Sequence, residues 1–439
     1  MEKQTFINLL EEIGISSEDI SKLALDTELI IRQRKLTSID LLHSICTESI
    51  YGTVSYNDIA AKIESENNVC VSKQAVWKKI TDKSYEFFEK ILAQAIIEKI
   101  GNKKISSSRV FCKFNRILVQ DSTIIKLPTK LFALFSGVSN QSASVCNARI
   151  QGTYDILNER FIDFSIDSYS KTDYESAPKL NFQKNDLTLR DRGYLVLDEI
   201  QRHIDLNAHC IYRHKFGLLL LDPITEKPID LLKEFEKKSF IDMEVKLNNK
   251  KKTKVRIVAM RINDPNIVNQ RKRKAKQEKK ITPSENYLKM LEWTIFITTI
   301  PSELVKYNEL LLLYGLRWRI EIIFKSWKSN LSFANIHNVS FNQLKILLMA
   351  RFIMILLCTQ CLFSPCREII KRKLKKELSL LKFIRYITKN PVKIKDIICD
   401  VLNNSDSIKN QIKVLARYCS YDKRNKRANY ELIMNSMFA

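Results

Sequence analysis

Apolar positions recur at helical spacing through roughly the first hundred residues. They alternate from Val110 onward and return to a helical period beyond residue 335. In the first stretch, Ser55-Tyr56-Asn57-Asp58-Ile59-Ala60-Ala61-Lys62-Ile63 opens on a capping residue and carries helical apolar spacing. A polar turn follows, and residues 71–80 begin a second helix with Ser72 as its N-cap.

The alternating stretch starts with Arg116-Ile117-Leu118-Val119-Gln120-Asp121, a short apolar run ending in a carboxylate. Residues 148–155 and 160–166 read as strands, with alternation clearest in the second. Leu187-Thr188-Leu189-Arg190-Asp191-Arg192-Gly193-Tyr194 repeats the pattern of strand, carboxylate and glycine turn. A helix over 195–204 and a strand near 208–213 come next, an order that suits an α/β layer fold. Residues 215–290 interrupt it with candidate strands at 216–222, 240–247 and 254–262. They end in the basic run 271–280, which reads as a solvated loop or a track for phosphates. Strand character resumes at 293–299, before a helix carrying Glu321. The expected organisation is a helical region over 1–108, an α/β core split between 109–214 and 291–335, a β-rich insertion over 215–290, and a helical region over 336–439.

Charge adds a partner to this picture. Lys and Arg number 73 against 49 acids, a formal net charge of +24. Self-repulsion of that size is most simply relieved by a polyanion. Nucleic acid is favoured over a membrane surface, because no amphipathic basic tail flanks the chain. With such a partner, the helices at 56 and 73 resemble a helix-turn-helix that sets Lys73 and Gln74 near base edges; a plain helical bundle gives the same pattern. Ten cysteines without a paired framework suit a reducing cytoplasm. Cys358, Cys361 and Cys366 lack a second pair at zinc spacing, and the five histidines are not spaced as ligands. The polar N-terminus predicts no signal peptide. Residues 344–363 resemble a membrane span but contain Lys345 and a central Arg351, so a buried or dimer-forming helix is expected instead.

The densest chemistry lies in the stretch from Tyr314 to Lys328. Tyr314, Arg317, Glu321 and Lys328 fall within about 80° on one helical face at ~100° per residue, and Lys325 joins them. Leu316, Ile320, Ile323 and Trp327 on the other faces make the helix largely buried. Such a stripe either holds a ligand or forms an internal ion-pair ladder. Asp121 and Asp191 at strand ends, with Glu321 on the helix, form an all-oxygen set suited to Mg²⁺ or Mn²⁺ rather than zinc. Carboxylates at ~4 Å repel by about 4 kcal/mol at an effective dielectric near 20, so a cation is required. Two such ions ~3.5–4 Å apart would support in-line phosphoryl transfer.

These residues resemble the signature of the bacterial cut-and-paste DDE transposases of the insertion-sequence-four type. That signature is Tyr, two residues, Arg, three residues, Glu, six residues and Lys, here Tyr314, Arg317, Glu321 and Lys328. Val119-Gln120-Asp121-Ser122-Thr123 resembles the first aspartate motif and Arg190-Asp191-Arg192-Gly193-Tyr194 the second. The resemblance spans roughly residues 110–335 and implies an RNase H-like core with a β insertion. It implies Asp121, Asp191 and Glu321 as metal-binding catalytic acids. Tyr314, Arg317 and Lys328, with Lys325 nearby, would hold phosphates of the cleaved end. Trp293 takes the position of an aromatic that stacks on a flipped base; a core tryptophan is the other reading. The implied reaction is cleavage at element ends in double-stranded DNA, hairpin closure and strand transfer by a homodimer, in the cytoplasm at the nucleoid, with no membrane partner. The alternatives are a repressor or inhibitor of transposition that retains the fold, and a structure-selective nuclease.

Overall fold

The computed structural model describes residues 1–32, 35–97, 113–137, 145–278, 282–402 and 410–421. Its N-terminal helices are α1 (Lys3–Glu11), α2 (Ser17–Asp26), α3 (Ser38–Ser49), α4 (Tyr56–Asn67), α5 (Lys73–Lys79) and α6 (Asp82–Ile97). Capping boxes open α2, α3 and α4: a Ser or Thr hydroxyl accepts from the third helical amide, whose Asp carboxylate accepts from the cap amide. The Ser72 hydroxyl accepts from the Ala75 amide at 3.2 Å, so α5 starts where its cap predicts. The boundary expected at 108 lies outside the described residues.

The strands are β1 (Ile117–Lys126), β2 (Asn147–Asp155), β3 (Arg160–Ser168), β4 (Leu187–Arg190), β5 (His209–Arg213), β6 (Leu220–Leu221), β7 (Phe240–Leu247), β8 (Lys254–Arg261) and β9 (Trp293–Thr298). Between them run α7 (Asp173–Ser176), α8 (Leu197–Asp205), α9 (Leu231–Lys237), α10 (Pro265–Glu278) and α11 (Glu285–Met290). These strands form one mixed sheet in the order β3-β2-β1-β4-β5-β9-β8-β7-β6. β4 is parallel to β1 and β5, and the other pairs are antiparallel.

Three features depart from expectation. Asp121 is not at a strand end, because Ser122 to Lys126 continue the ladder with β2 from Gln151 to Asn147. The strands of the insertion do not form a sheet of their own: β8 pairs with β9 from Arg256 to Arg261 and extends the core sheet. The basic run is helical from residue 271 to 278 as part of α10, while Lys279 and Lys280 lie outside the described residues.

Beyond the sheet lie α12 (Tyr307–Gly315), α13 (Trp318–Asn330), α14 (Phe341–Leu356), α15 (Ser364–Leu374), α16 (Leu380–Lys389), α17 (Lys393–Leu402) and α18 (Asn410–Tyr418). A π-helical stretch joins α14 to α15 into one apolar helix, Phe341–Leu374. It is long enough to cross a bilayer, but its most apolar window is wholly buried, packed against α3 and α6. Arg351 explains how a charge sits there. Its guanidinium donates to the carbonyls of Ser49, Gly52, Phe333 and Asn335 at 2.8–3.1 Å.

Candidate active site

Register brings the two aspartates together. β1 and β4 are parallel, with Gln120 opposite Arg190, so the next residues are Asp121, still in β1, and Asp191, just past the end of β4. Neighbouring strands lie ~4.8 Å apart. β4 ends at Arg190, so Asp191 leaves the sheet there and begins a short turn of 3₁₀ helix.

A glycine lets the third acid approach. Asp121 pairs with Gly152 on β2. A Cβ on Gly152 would stand 3.2 Å from the rings of Phe161 and Phe324. Its absence lets α13 settle on the sheet through Phe324, with Glu321 one turn earlier on the helix.

The stripe from Tyr314 to Lys328 is not one unbroken α-helix. The amides of Leu316, Arg317 and Arg319 bond to carbonyls three residues back, to Leu313, Tyr314 and Leu316. This tighter turn separates α12 from α13 and eclipses residues three apart, so Arg317 stays over Tyr314. The Arg317 guanidinium lies 5.8 Å from the Tyr314 ring centroid.

Arg317 also links two acids. It reaches Asp121 Oδ2 at 3.1 Å and Glu321 Oε1 at 2.6 Å. Both alternatives for the stripe are therefore partly realised, an ion-pair ladder that includes the acids themselves. Burial pushes the Asp121 carboxyl up to about 6 against the pull of Arg317, and Glu321 and Asp191 add to the rise. Arg317 is itself buried, and its Nε has no acceptor among the described residues. Lys328 donates to the Ile124 carbonyl at 2.7 Å, and Lys325 is exposed one turn before it.

Among the described residues no three His, Cys, Asp or Glu side chains stand as a ready-made ligand cluster. The donor set nevertheless fits a hard divalent cation: carboxylate oxygens from three acids, one of them raised by burial and then by the other two. The single guanidinium between Asp121 and Glu321 is the local counter-charge.

Trp293 is a core residue here, 6% exposed and stacked on Phe235 at 4.0 Å with the rings 8° from parallel. That face is covered here, which is the core-tryptophan reading of the two offered for it. An exposed aromatic beside Arg317 is instead Trp318, 59% exposed. Far along the chain, Lys73 and Gln74 are exposed on α5 with Trp77.

One set of residues escaped the sequence reading. Asp173 Oδ1 accepts from the Ser122 hydroxyl at 2.6 Å and from Arg149. A Cβ on Gly193 would stand 3.0 Å from Asp173 Oδ2, so this carboxylate lies against the residue after Asp121 in β1 and the turn after Asp191. Its backbone carbonyl accepts from Gln151, which in turn accepts from the Tyr194 hydroxyl at 2.7 Å. Asp173 lies in a loop helix of four residues with no periodicity to mark it.

Residues 113–357 match the family described as the transposase DDE domain. The chain is 24% identical over 399 residues to the transposase of insertion sequence element IS231E from Bacillus thuringiensis subsp. finitimus, covering 84% of this chain and 82% of that one. It is 27% identical over 390 residues to the transposase of IS1151 from Clostridium perfringens, covering 83% and 82%. A piggyBac transposase synaptic complex with hairpin DNA aligns at 9% identity and a TM-score of 0.42, over 95% of this chain and 86% of that one.

Proposed function

The chain belongs to the family of transposases with a DDE domain, enzymes that depend on divalent metal, and on that premise we propose how its own residues divide the work. It is an insertion-sequence transposase of the insertion-sequence-four type, with Tyr314, Arg317, Glu321 and Lys328 as its signature. The observation that carries this reading is the junction of Asp121, in register beside Asp191, to Glu321 through Arg317. The strand order β3-β2-β1-β4-β5 with β1, β4 and β5 parallel supports an RNase H-like core. The same proposal divides the chain into an end-reading region (1–108), the split core, the insertion (215–290) and a pairing region (336–439) for a homodimer.

Asp121, Asp191 and Glu321 would hold two Mg²⁺ or Mn²⁺ ions. Bound there, the metal would activate the attacking oxygen and neutralise the leaving one. Arg317 orients two of the acids through its two terminal nitrogens and keeps a positive charge beside the bound phosphate. The Tyr314 hydroxyl, held near the Arg190 carbonyl at 3.5 Å, keeps its proton because burial pushes its pKa up to about 12; it therefore acts as a donor. Lys325 and Lys328 extend the cationic track along α13.

The test is the full-length chain with a duplex carrying the terminal repeat that borders its gene, in Mg²⁺. Cleavage at the element's 3′ end followed by joining is expected. Specific binding without any cutting would identify a repressor. Cutting of branched DNA without need for that end would identify a structure-selective nuclease.

Two variants refine the assignment. Asp173→Ala is expected to cut the end more slowly by about 10–100-fold with unchanged end affinity, as for partners that orient ligands. Asp173→Asn, still able to accept from Ser122, should recover part of that rate. Equal single-turnover rates in both variants and wild type would remove Asp173 from this role. Lys73→Ala is expected to weaken binding to the terminal repeat more than to unrelated duplex, measured by competition. Equal loss on both would argue that α5 makes no base contacts.

A further inference from the structure

We propose that Arg192, Arg213 and Arg271 form a second phosphate-binding subsite, on the Asp191 side of the acids, that grips a backbone phosphate of the bound DNA. The proposal rests on the transposase reading above and deepens it.

The strands place two of the three side by side. Arg213 ends β5 opposite Phe296 of β9, so the two side chains share a face. The Phe296 ring lies 4.9 Å from that of Tyr314, which fixes this as the face turned toward the signature residues. Thr294, two residues before Phe296, is on the same face. Its hydroxyl accepts from Arg271 at 3.4 Å, and the Trp293 carbonyl accepts from the same guanidinium at 3.2 Å. Thus α10 lowers Arg271 over the start of β9, diagonal to Arg213. Arg192 approaches from the turn that follows Asp191.

None of the three has a carboxylate partner among the described residues, whereas Arg116, Arg149, Arg256 and Arg317 are each ion-paired. Arg192 is exposed and solvated, but Arg213 and Arg271 are partly buried. Burial, then Arg213 and Arg192, hold the Arg271 pKa down to about 10. Like charges that repel in a half-buried setting cost stability, and an anion removes the cost. A phosphodiester offers two oxygens to forked guanidiniums, the geometry that suits arginine over lysine. Asp191 beside them argues for a phosphate of the strand being cut rather than a free anion.

The experiment measures equilibrium binding of the full-length chain to a duplex with its terminal repeat, without divalent metal, across salt concentrations. Arg271→Gln and Arg213→Gln are each expected to make the slope of log K against log salt shallower by roughly 0.7–0.9. In Arg213→Gln the melting temperature should hold or rise, because repulsion is relieved; Arg271→Gln also loses its bonds to Trp293 and Thr294 and is read by its salt slope alone. A structural role would lower it. If wild type binds and both variants keep its slope, the subsite is overturned while the transposase reading stands. If wild type fails to bind the duplex, the reading itself is overturned and the subsite with it. Stabilisation by inorganic phosphate that Arg271→Gln abolishes, with DNA slopes unchanged, would overturn the assignment to DNA.

Discussion

Asp121→Asn, Asp191→Asn and Glu321→Gln proteins are each expected to bind end duplex and leave it uncut, with cleavage lower by on the order of 10³-fold or more. An amide keeps the shape of the carboxyl but not the charge that balances a cation. The three variants should differ in stability, which separates them from simple misfolding. Asp121 is the most burdened acid: its folded pKa is raised to about 6, above the ordinary carboxylate range. A raised carboxyl pKa means the ionised form is destabilised in the folded chain. Near neutral pH that cost is fully present, and it fades as pH falls through about 6. Asp121→Asn measured in a chelator should therefore melt at or above the wild-type temperature. Glu321→Gln instead leaves Arg317 with one carboxylate fewer and should melt slightly lower. Full cleavage activity in any of the three would remove that residue from the catalytic set.

The pattern of legibility follows from which interactions are local. Strand positions 240–247 and 254–261, and the caps at Ser55 and Ser72, follow from alternation and from side chains bonding three residues ahead. The extent of β1 past Asp121 depends on a partner strand that begins at Asn147, so the carboxylate there looked terminal and is not. The insertion strands joined the core sheet through pairing of β8 with β9, whose partners lie 32 to 42 residues downstream, which no local period encodes. At the site, the acids and the Arg–Glu spacing could be read directly. The bridge from Arg317 to Asp121 spans 196 residues and could not. Trp293 reads either way because aromatics suit both cores and bases, and its stacking on Phe235 is a contact that no local pattern carries. Asp173 carried no pattern at all.

Arg351→Met is expected to destabilise the chain by about 3–5 kcal/mol, although methionine suits an apolar helix better than arginine does. Arg351 is 1% exposed, and burial holds its pKa down to about 10, so the site tolerates the charge only through its acceptors. Those acceptors are four backbone carbonyls from two separate places. Ser49 ends α3 and Gly52 follows it, whereas Phe333 and Asn335 follow α13. Methionine leaves the three buried carbonyls, and the part-buried one of Asn335, without this donor. Lysine keeps a charge but as a point with three donors, so Arg351→Lys should recover only part of the loss. The same geometry predicts where the damage falls. Arg351 ties the helical region bearing Lys73 to the segment just after the Glu321 helix, so hydrogen exchange should rise first around residues 45–54 and 331–336. Exchange in β1 and β4 should change least, since their ladder does not involve it. Uniform acceleration across the sheet would mean that Arg351 serves general packing rather than this joint. A variant with wild-type denaturant stability would show that the four carbonyls find other donors.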